Sequence, residues 1–230
     1  MSRVILFDLD GVLIDSMGCH AYVWQQAIKI QLGIDLPEQY FLINEGKNSK
    51  DILLELIERY QIKSDEHTWK RVSDFRDELF LKEFKPRLME GAKELVALVN
   101  GFEYRLGVAT GSTRFVAEDV LTKTGIRSYF STLVTSEDVQ FSKPHPQPYQ
   151  KLLSQLDGNA ERAIVIENAP LGIDSAVAAG LICMGVTTTN TTEVLSKANK
   201  VFSDLEEIKM FLKVEHSNSQ GRGPWKFENL

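Results

Sequence analysis

Three features of this 230-residue sequence predict an α/β fold built on a doubly wound parallel sheet. Short apolar runs recur along the chain, each stopping at a polar or glycine-bearing turn. Segments of helical period separate them. One long stretch after the first run carries helical patterning alone, which predicts an insertion. The runs are "VILF" before Asp8, "RLGVA" before Thr110, "AIVI" before Glu167 and "ICMGV" before Thr187, with a weaker strand, "STLVT", at 131–135. Being apolar throughout rather than alternating, they fit strands covered on both faces. The intervening helices are placed at 90–100, 114–123, 147–155 and 171–179. In such a sheet, ligands bind beyond the carboxyl ends of the strands. Asp8, Thr110 and the Glu167-Asn168 pair would converge there.

Between about 16 and 85 no strand is legible. "YVWQQAIKIQLGI", "DILLELIERY" and "WKRVSDFRDELF" all read as amphipathic helices; the second spaces Ile52, Leu53, Leu56, Ile57 and Tyr60 for one face. The expected organisation is a core from 1–15 and 86–215, with a helical cap from 16–85 over the sheet's functional edge. The tail 216–230, "HSNSQGRGPWKFENL" from His216 onward, is rich in Gly, Ser and Asn and is expected to be loosely ordered.

Apolar residues make up 43% of the chain and charged residues 25%, the proportions of a soluble globular protein with ample material for a core. The net charge of −6 comes without a basic block, which argues against nucleic acid as a partner; any phosphate site has to be local. No run approaches the roughly 20 apolar residues of a membrane span. No apolar signal region precedes the first acid. A cytoplasmic protein without a membrane partner, monomeric or weakly dimeric, is therefore expected. Cys19 and Cys183 lie far apart, without metal-ligand spacing, and read as reduced, packed thiols.

The chemistry-bearing residues fall at the predicted strand ends. In "VILFDLDGVLIDS" a buried strand stops at Asp8, and Asp10 follows two residues later. Two carboxylates so close repel one another and call for a cation. A carboxylate in this position can act as a nucleophile. A second one in a different environment can serve as general acid and then base. Gly11 permits the tight turn that holds both in one site. "VATGS" adds the Thr110 hydroxyl, with Gly111 and Ser112 offering backbone N–H groups to a phosphate. "FSKPHPQPY" presents Lys143 in a proline-stiffened loop, and "VIENAP" supplies Glu167 and Asn168 as oxygen donors for a hard ion such as Mg²⁺.

Taken together, "DLDGV", "TGS", "KPHPQPY" and "ENAPLGIDSAVAAG" resemble the haloacid dehalogenase superfamily of phosphohydrolases, in the branch with a helical cap between the first two motifs. The resemblance covers about residues 3–212. It implies a Rossmann-like core, bound Mg²⁺ and a phosphoaspartyl intermediate. Asp8 would be the nucleophile and Asp10 the acid/base. Thr110 and Lys143 would bind the transferring phosphoryl group, and Asp8, the Asp10 carbonyl and Asn168 would hold the metal.

One departure narrows the substrate. The superfamily generally has Glu-Asp where this chain has Glu167-Asn168, which removes a negative charge near the metal. Glu45 in "INEGKNSKDI" is the expected compensating acid, and "NEGK" resembles a branch that includes inorganic pyrophosphatases, with Lys47 where Arg is more usual. A cap glutamate reaching the metal leaves little room for a large leaving group, so pyrophosphate is the expected substrate. The alternative is a β-phosphoglucomutase or sugar-phosphate phosphatase. "CHAYVWQQA" resembles the first cap helix of the mutases, placing His20 near the substrate, but Ser49 stands where mutases usually carry arginine. A more remote alternative is a silent phosphate-binding protein on the same fold.

Overall fold

Alternation within the first strand builds two cores at once. In β1 (Val4–Phe7) Val4 and Leu6 point into one hydrophobic cluster, Ile5 and Phe7 into the other, and all four are fully buried. The computed structural model describes residues 3–42, 44, 49–65, 67–219 and 225. β1 is joined by β2 (Arg105–Ala109), β3 (Thr132–Val134), β4 (Ala163–Glu167), β5 (Ile182–Val186) and β6 (Lys200–Phe202) in a parallel sheet of order β3-β2-β1-β4-β5-β6. This is the doubly wound α/β fold predicted from the sequence. Its order reverses at β1, so a crevice opens where β1 and its neighbours end.

After β1 the chain leaves the sheet for four helices, α1 (Met17–Leu32), α2 (Glu38–Leu42), α3 (Ser49–Arg59) and α4 (Thr68–Glu83). Their apolar stripes meet in a cluster of their own, with Trp24, Ala27, Ile28, Phe41, Leu53, Leu56 and Val72 buried together. The outgoing and returning segments pair with each other. Ile14 and Leu88 form an antiparallel bridge, Asp15 N donates to Arg87 O (3.1 Å) and Met89 N to Leu13 O (2.9 Å).

Back in the core, α5 (Ala92–Gly101), α6 (Arg114–Lys123), α7 (Gln147–Gln155), α8 (Pro170–Ala178) and α9 (Leu205–Ser219) cover the sheet. Val96, Val120 and Ile208 pack with Ile5 and Phe7 on one face; Tyr149, Leu152, Ile173 and Ala176 pack with Val4 and Leu6 on the other. Helices on both faces explain why the strands read as continuous apolar runs. Among the described residues no helix is long and apolar enough to cross a membrane.

At its described positions, 216–219 and 225, the tail departs from the expectation of loose order; its other positions lie outside the described residues. α9 runs on through His216 to Ser219, and Trp225 is buried. Trp225 lies under the Arg3 guanidinium, 3.8 Å from ring centroid to Cζ, edge-on to Tyr104. His216 stacks on Phe102 (3.7 Å) and lies 3.0 Å from the Tyr104 hydroxyl. Average composition hid these anchors, because one aromatic on a buried cation outweighs a run of small polar neighbours. Trp225→Ala should cost about 3 kcal/mol, read as a fall in melting temperature of roughly 9 °C, with turnover unaltered because Arg3 precedes β1 and Asp8 follows it. An unchanged melting temperature would mean that the indole carries no stability.

Candidate active site

β1 delivers Asp8 into the crevice. Its N–H continues the ladder to Ile166 O on β4 (3.0 Å), so the carboxylate is fixed by the sheet itself. The chain then turns back on itself: Leu13 N and Ile14 N both donate to Leu9 O, and Gly11 N donates to Ile14 O (2.8 Å). Gly11 has φ +83°, and an added Cβ would stand 2.1 Å from Asn168 Nδ2. Glycine is required there by its backbone and by the side chain beneath it. That turn brings Asp10 back beside Asp8.

The two acids meet different surroundings. Asp8 Oδ1 accepts from Lys143 Nζ (2.5 Å), and the ammonium also donates to Glu167 Oε1 (2.6 Å) and Ala109 O (3.2 Å). Asp8, Lys143 and Glu167 are all buried. Burial pushes the Asp8 carboxyl up to about 7; the Lys143 ammonium opposes this, while the Glu167 and Asp10 charges add to it. Burial would also raise Asp10, but His20, Ser16 and Ser112 outweigh it and hold that carboxyl well below the usual range. Its Oδ1 accepts from Ser16 Oγ (2.6 Å) and lies 2.9 Å from His20 Nε2; its Oδ2 accepts from Ser112 Oγ (2.9 Å) and Thr110 Oγ1 (3.3 Å). The two carboxylates are thus held in opposite ways, Asp8 pushed toward protonation and Asp10 kept ionised.

Thr110 directly follows β2, and its Oγ1 accepts from Ser112 N (3.0 Å), curling the Thr110-Gly111-Ser112 segment around Asp10. β4 ends at Glu167. This residue was expected to offer an oxygen to a metal, but both of its oxygens are engaged by the protein. Oε1 accepts from Lys143 and from the Tyr149 hydroxyl (2.6 Å each), Oε2 from Asn168 N (3.0 Å) and Ala169 N (3.3 Å). The geometry replaces that expectation: Glu167 holds Lys143 in place. Gly172 leaves the room, since an added Cβ would stand 1.8 Å from Oε1. Asn168, fully buried, donates from Nδ2 to Thr189 Oγ1 (2.7 Å) and accepts from Asn190 Nδ2 at its main-chain oxygen (2.9 Å).

The helical cap closes the crevice from above. Asp77 on α4 accepts from the Thr113 hydroxyl (2.7 Å), and Asp51 on α3 accepts from the Ser142 hydroxyl (2.5 Å), so both sides of the mouth are tied. His20 on α1 stacks on Phe80 of α4 (4.2 Å), which orients its ring toward Asp10. Between cap and core lies a cavity of about 60 Å³, with Asp8, Asp10 and Thr110 as floor and Trp24, Phe41 and Arg76 in the roof. Glu45 and Lys47 lie outside the described residues.

The structure thus brings together Asp8, Asp10, Thr110, Ser112, Lys143, Glu167 and His20. It adds residues that the sequence reading had not singled out. Ser16 and Tyr149 stood inside quoted motifs, "VILFDLDGVLIDS" and "KPHPQPY", and only their contacts were unread. Arg76 gave no signal, because a charge on an amphipathic helix reads as a solvated face.

An open parallel sheet with an acid pair at its switch point and helices inserted straight after that pair defines a capped Rossmann-like enzyme. The chain belongs to the haloacid dehalogenase-like hydrolases, whose family model matches residues 5–186. It is 30% identical over 210 residues to validoxylamine A 7'-phosphate phosphatase of Streptomyces hygroscopicus subsp. limoneus, covering 91% of this chain and 97% of that protein. It is 31% identical over 192 residues to phosphoglycolate phosphatase of Yersinia pestis, covering 80% of this chain and 81% of that protein. The fold superposes on β-phosphoglucomutase of Clostridium difficile with a TM-score of 0.83 at 24% identity, over 96% of this chain and all of the other.

Proposed function

We propose that the protein is a Mg²⁺-dependent phosphatase of small phosphorylated organic molecules, working through an aspartyl phosphate on Asp8. The observation that carries this reading is the buried Lys143–Asp8 pair, 2.5 Å apart, beside a second acid held in four hydrogen-bonding contacts. The two curated relatives carry the names of phosphomonoester phosphatases, which supports the same reading.

The residues present suit a hard divalent ion. Two buried carboxylates, Asp8 and Glu167, share one ammonium, and burial together with the Glu167 and Asp10 charges pushes Asp8 toward protonation. Among the described residues no three His, Cys, Asp or Glu side chains are grouped as a cage. Mg²⁺ keeps several waters and rests on one or two carboxylates together with substrate oxygens. Asp8, the Asp10 main-chain carbonyl and Asn168 would hold it. Bound there, the ion supplies positive charge that offsets repulsion between carboxylate and phosphate.

The chain's own groups account for the rest. Asp8 attacks phosphorus in line, the bond to the leaving oxygen breaks, and Asp10 gives that oxygen a proton. Water then attacks the aspartyl phosphate, losing a proton to Asp10, and releases phosphate and free Asp8. Lys143 and Thr110 steady the phosphoryl oxygens. Glu167 and Tyr149 position Lys143. Asp10 as seen here accepts as a carboxylate should, the form needed as base in the second half. Taking up the proton needed in the first half is favoured when the contacts from Ser16 and His20 loosen.

The narrower expectation of pyrophosphate rests on Glu45, outside the described residues, whereas the roof of the pocket presents Trp24, Phe41 and Ile52. Such a wall suits carbon rather than a second bare phosphate, so phosphomonoesters are favoured. The deciding measurement is phosphate release from phosphoglycolate, sugar monophosphates and pyrophosphate, with Mg²⁺ and with EDTA. Organic monoesters should be turned over most efficiently, and EDTA should abolish release. Pyrophosphate dominating the panel would reverse the substrate assignment. Transfer of phosphate between two hydroxyls of one hexose would make the protein a mutase.

A further inference from the structure

We propose that Thr188 is a positioning residue for the reaction: by way of the Gly11 carbonyl it fixes the turn that brings Asp10 beside Asp8, while Thr189 holds Asn168 against the same turn. Its effect on turnover rests on the phosphatase reading above; its hold on the turn does not.

β5 is the strand end that the chemistry above leaves unused, and three threonines follow it directly. Each reaches a different strand. Thr187 turns to β6, its N–H donating to Phe202 O (3.0 Å) and its hydroxyl to Ser203 O (3.1 Å). The Thr188 hydroxyl donates to Gly11 O just beyond β1 (2.5 Å), a carbonyl 177 residues earlier in the chain. The Thr189 hydroxyl accepts from Nδ2 of Asn168 just beyond β4 (2.7 Å) and from Asn190 Nδ2 (3.2 Å). Asn190 Nδ2 also donates to the Asn168 main-chain oxygen (2.9 Å). Threonine hydroxyls in loops commonly bond their own or neighbouring backbone. These three instead bridge the ends of β6, β1 and β4.

Gly11 is where such a bridge has most effect. At φ +83° it is the residue of the turn freest to change conformation. The two peptides that flank it are each pinned by one bond: its N–H donates to Ile14 O (2.8 Å), and its carbonyl accepts from Thr188. Gly11 is buried, so a carbonyl released by Thr188 has to find another partner, and the turn has to move to provide one. Asp10 is the residue before it. The Asn168 amide fills the place of a Gly11 side chain, since an added Cβ would stand 2.1 Å from Nδ2. The path of the turn and the place of Asn168 therefore depend on each other, and one dipeptide, Thr188-Thr189, holds both. A displacement of about 1 Å at a reacting group can cost about 10²-fold in rate.

The test uses Thr188→Val, which keeps the side chain's shape and removes the donor, and Thr188→Ser, which keeps the donor. Turnover is measured on a phosphomonoester with Mg²⁺, and backbone hydrogen exchange is followed by mass spectrometry on the peptide covering 8–16. In Thr188→Val, kcat should fall about tenfold or more with KM within about twofold, because the groups that contact substrate are all still present. Exchange in the 8–16 peptide should quicken about tenfold, while peptides covering 105–109 and 163–167 exchange as in the wild type. Thr188→Ser should recover most of both effects. Wild-type kcat and exchange in Thr188→Val overturn the proposal. So does an equal loss in Thr188→Ser, which would assign the effect to the methyl group, or faster exchange in all three peptides, the mark of a general loosening of the fold. If Thr188→Val fails to fold, Thr188→Cys decides: its weaker donor should leave the 8–16 peptide exchanging faster than in the wild type, and unchanged exchange overturns the proposal.

The two readouts also separate this inference from the one beneath it. Selective loosening of the turn in a protein that hydrolyses no phosphomonoester would uphold Thr188 and refute the phosphatase reading. Hydrolysis by the wild type, with kcat and exchange unaltered in Thr188→Val, would do the reverse.

Discussion

Asp8→Asn is expected to lower turnover at least about 10⁴-fold, as removal of a covalent nucleophile does, while the protein stays folded. The amide keeps the shape of the carboxylate and can still accept from Lys143, and the β1–β4 ladder through Asp8 N does not depend on the side chain. The Lys143 charge keeps Glu167 as its partner at 2.6 Å. Circular dichroism and thermal melting should therefore match or exceed the wild type, because a carboxyl that burial drives up to about 7 is a liability when ionised. Rapid-quench labelling with a turned-over substrate should trap phosphoenzyme in the wild type and none in the variant. Residual turnover within tenfold of wild type would remove Asp8 from the nucleophile's role.

Lys143→Met carries the largest expected cost to stability. Asp8 and Glu167 would be left facing each other in the interior without the ammonium that joins them, and Glu167 would keep only the neutral donors, the Tyr149 hydroxyl and the Asn168 and Ala169 amides. Stranding buried charge in this way costs about 3–5 kcal/mol, or about 10 °C in melting temperature for a chain of this size. Activity should vanish as well. The double variant Lys143→Met/Glu167→Gln separates the two effects, since neutralising Glu167 should return much of the lost stability and none of the turnover. A single variant that melts with the wild type would show that the pair is solvated in solution.

How much of this was legible follows from what each signal depends on. Strand positions at 4–7, 105–109 and 182–186 could be read because parallel strands buried on both faces leave continuous apolar runs. β6 was missed: "KVF" is three residues long at the sheet edge, too short for a periodicity. α9 was missed beside it, and Trp225 was lost in a polar tail. At the site, the acid pair and the strand-end hydroxyl were visible as motifs. The division of labour among carboxylates was not, because Glu167 differs from Asp8 only in what surrounds it. A sequence shows that a carboxylate is present; three dimensions decide whether it meets Lys143, Tyr149 or a ligand. Arg76 marks the same limit, since helical period shows which face a residue occupies and not whether another element covers that face.

The antiparallel pairing of the two linkers at Ile14 and Leu88 has a consequence for how such a protein diversifies. Because the excursion leaves and returns at one point, everything between those residues behaves as a cassette with adjacent ends. It can be lengthened, trimmed or exchanged for a graft from a relative without disturbing the strand order or the position of Asp8. Its first residues are the exception: Ser16 and His20 lie inside the excursion and hold Asp10, so any graft has to keep those two.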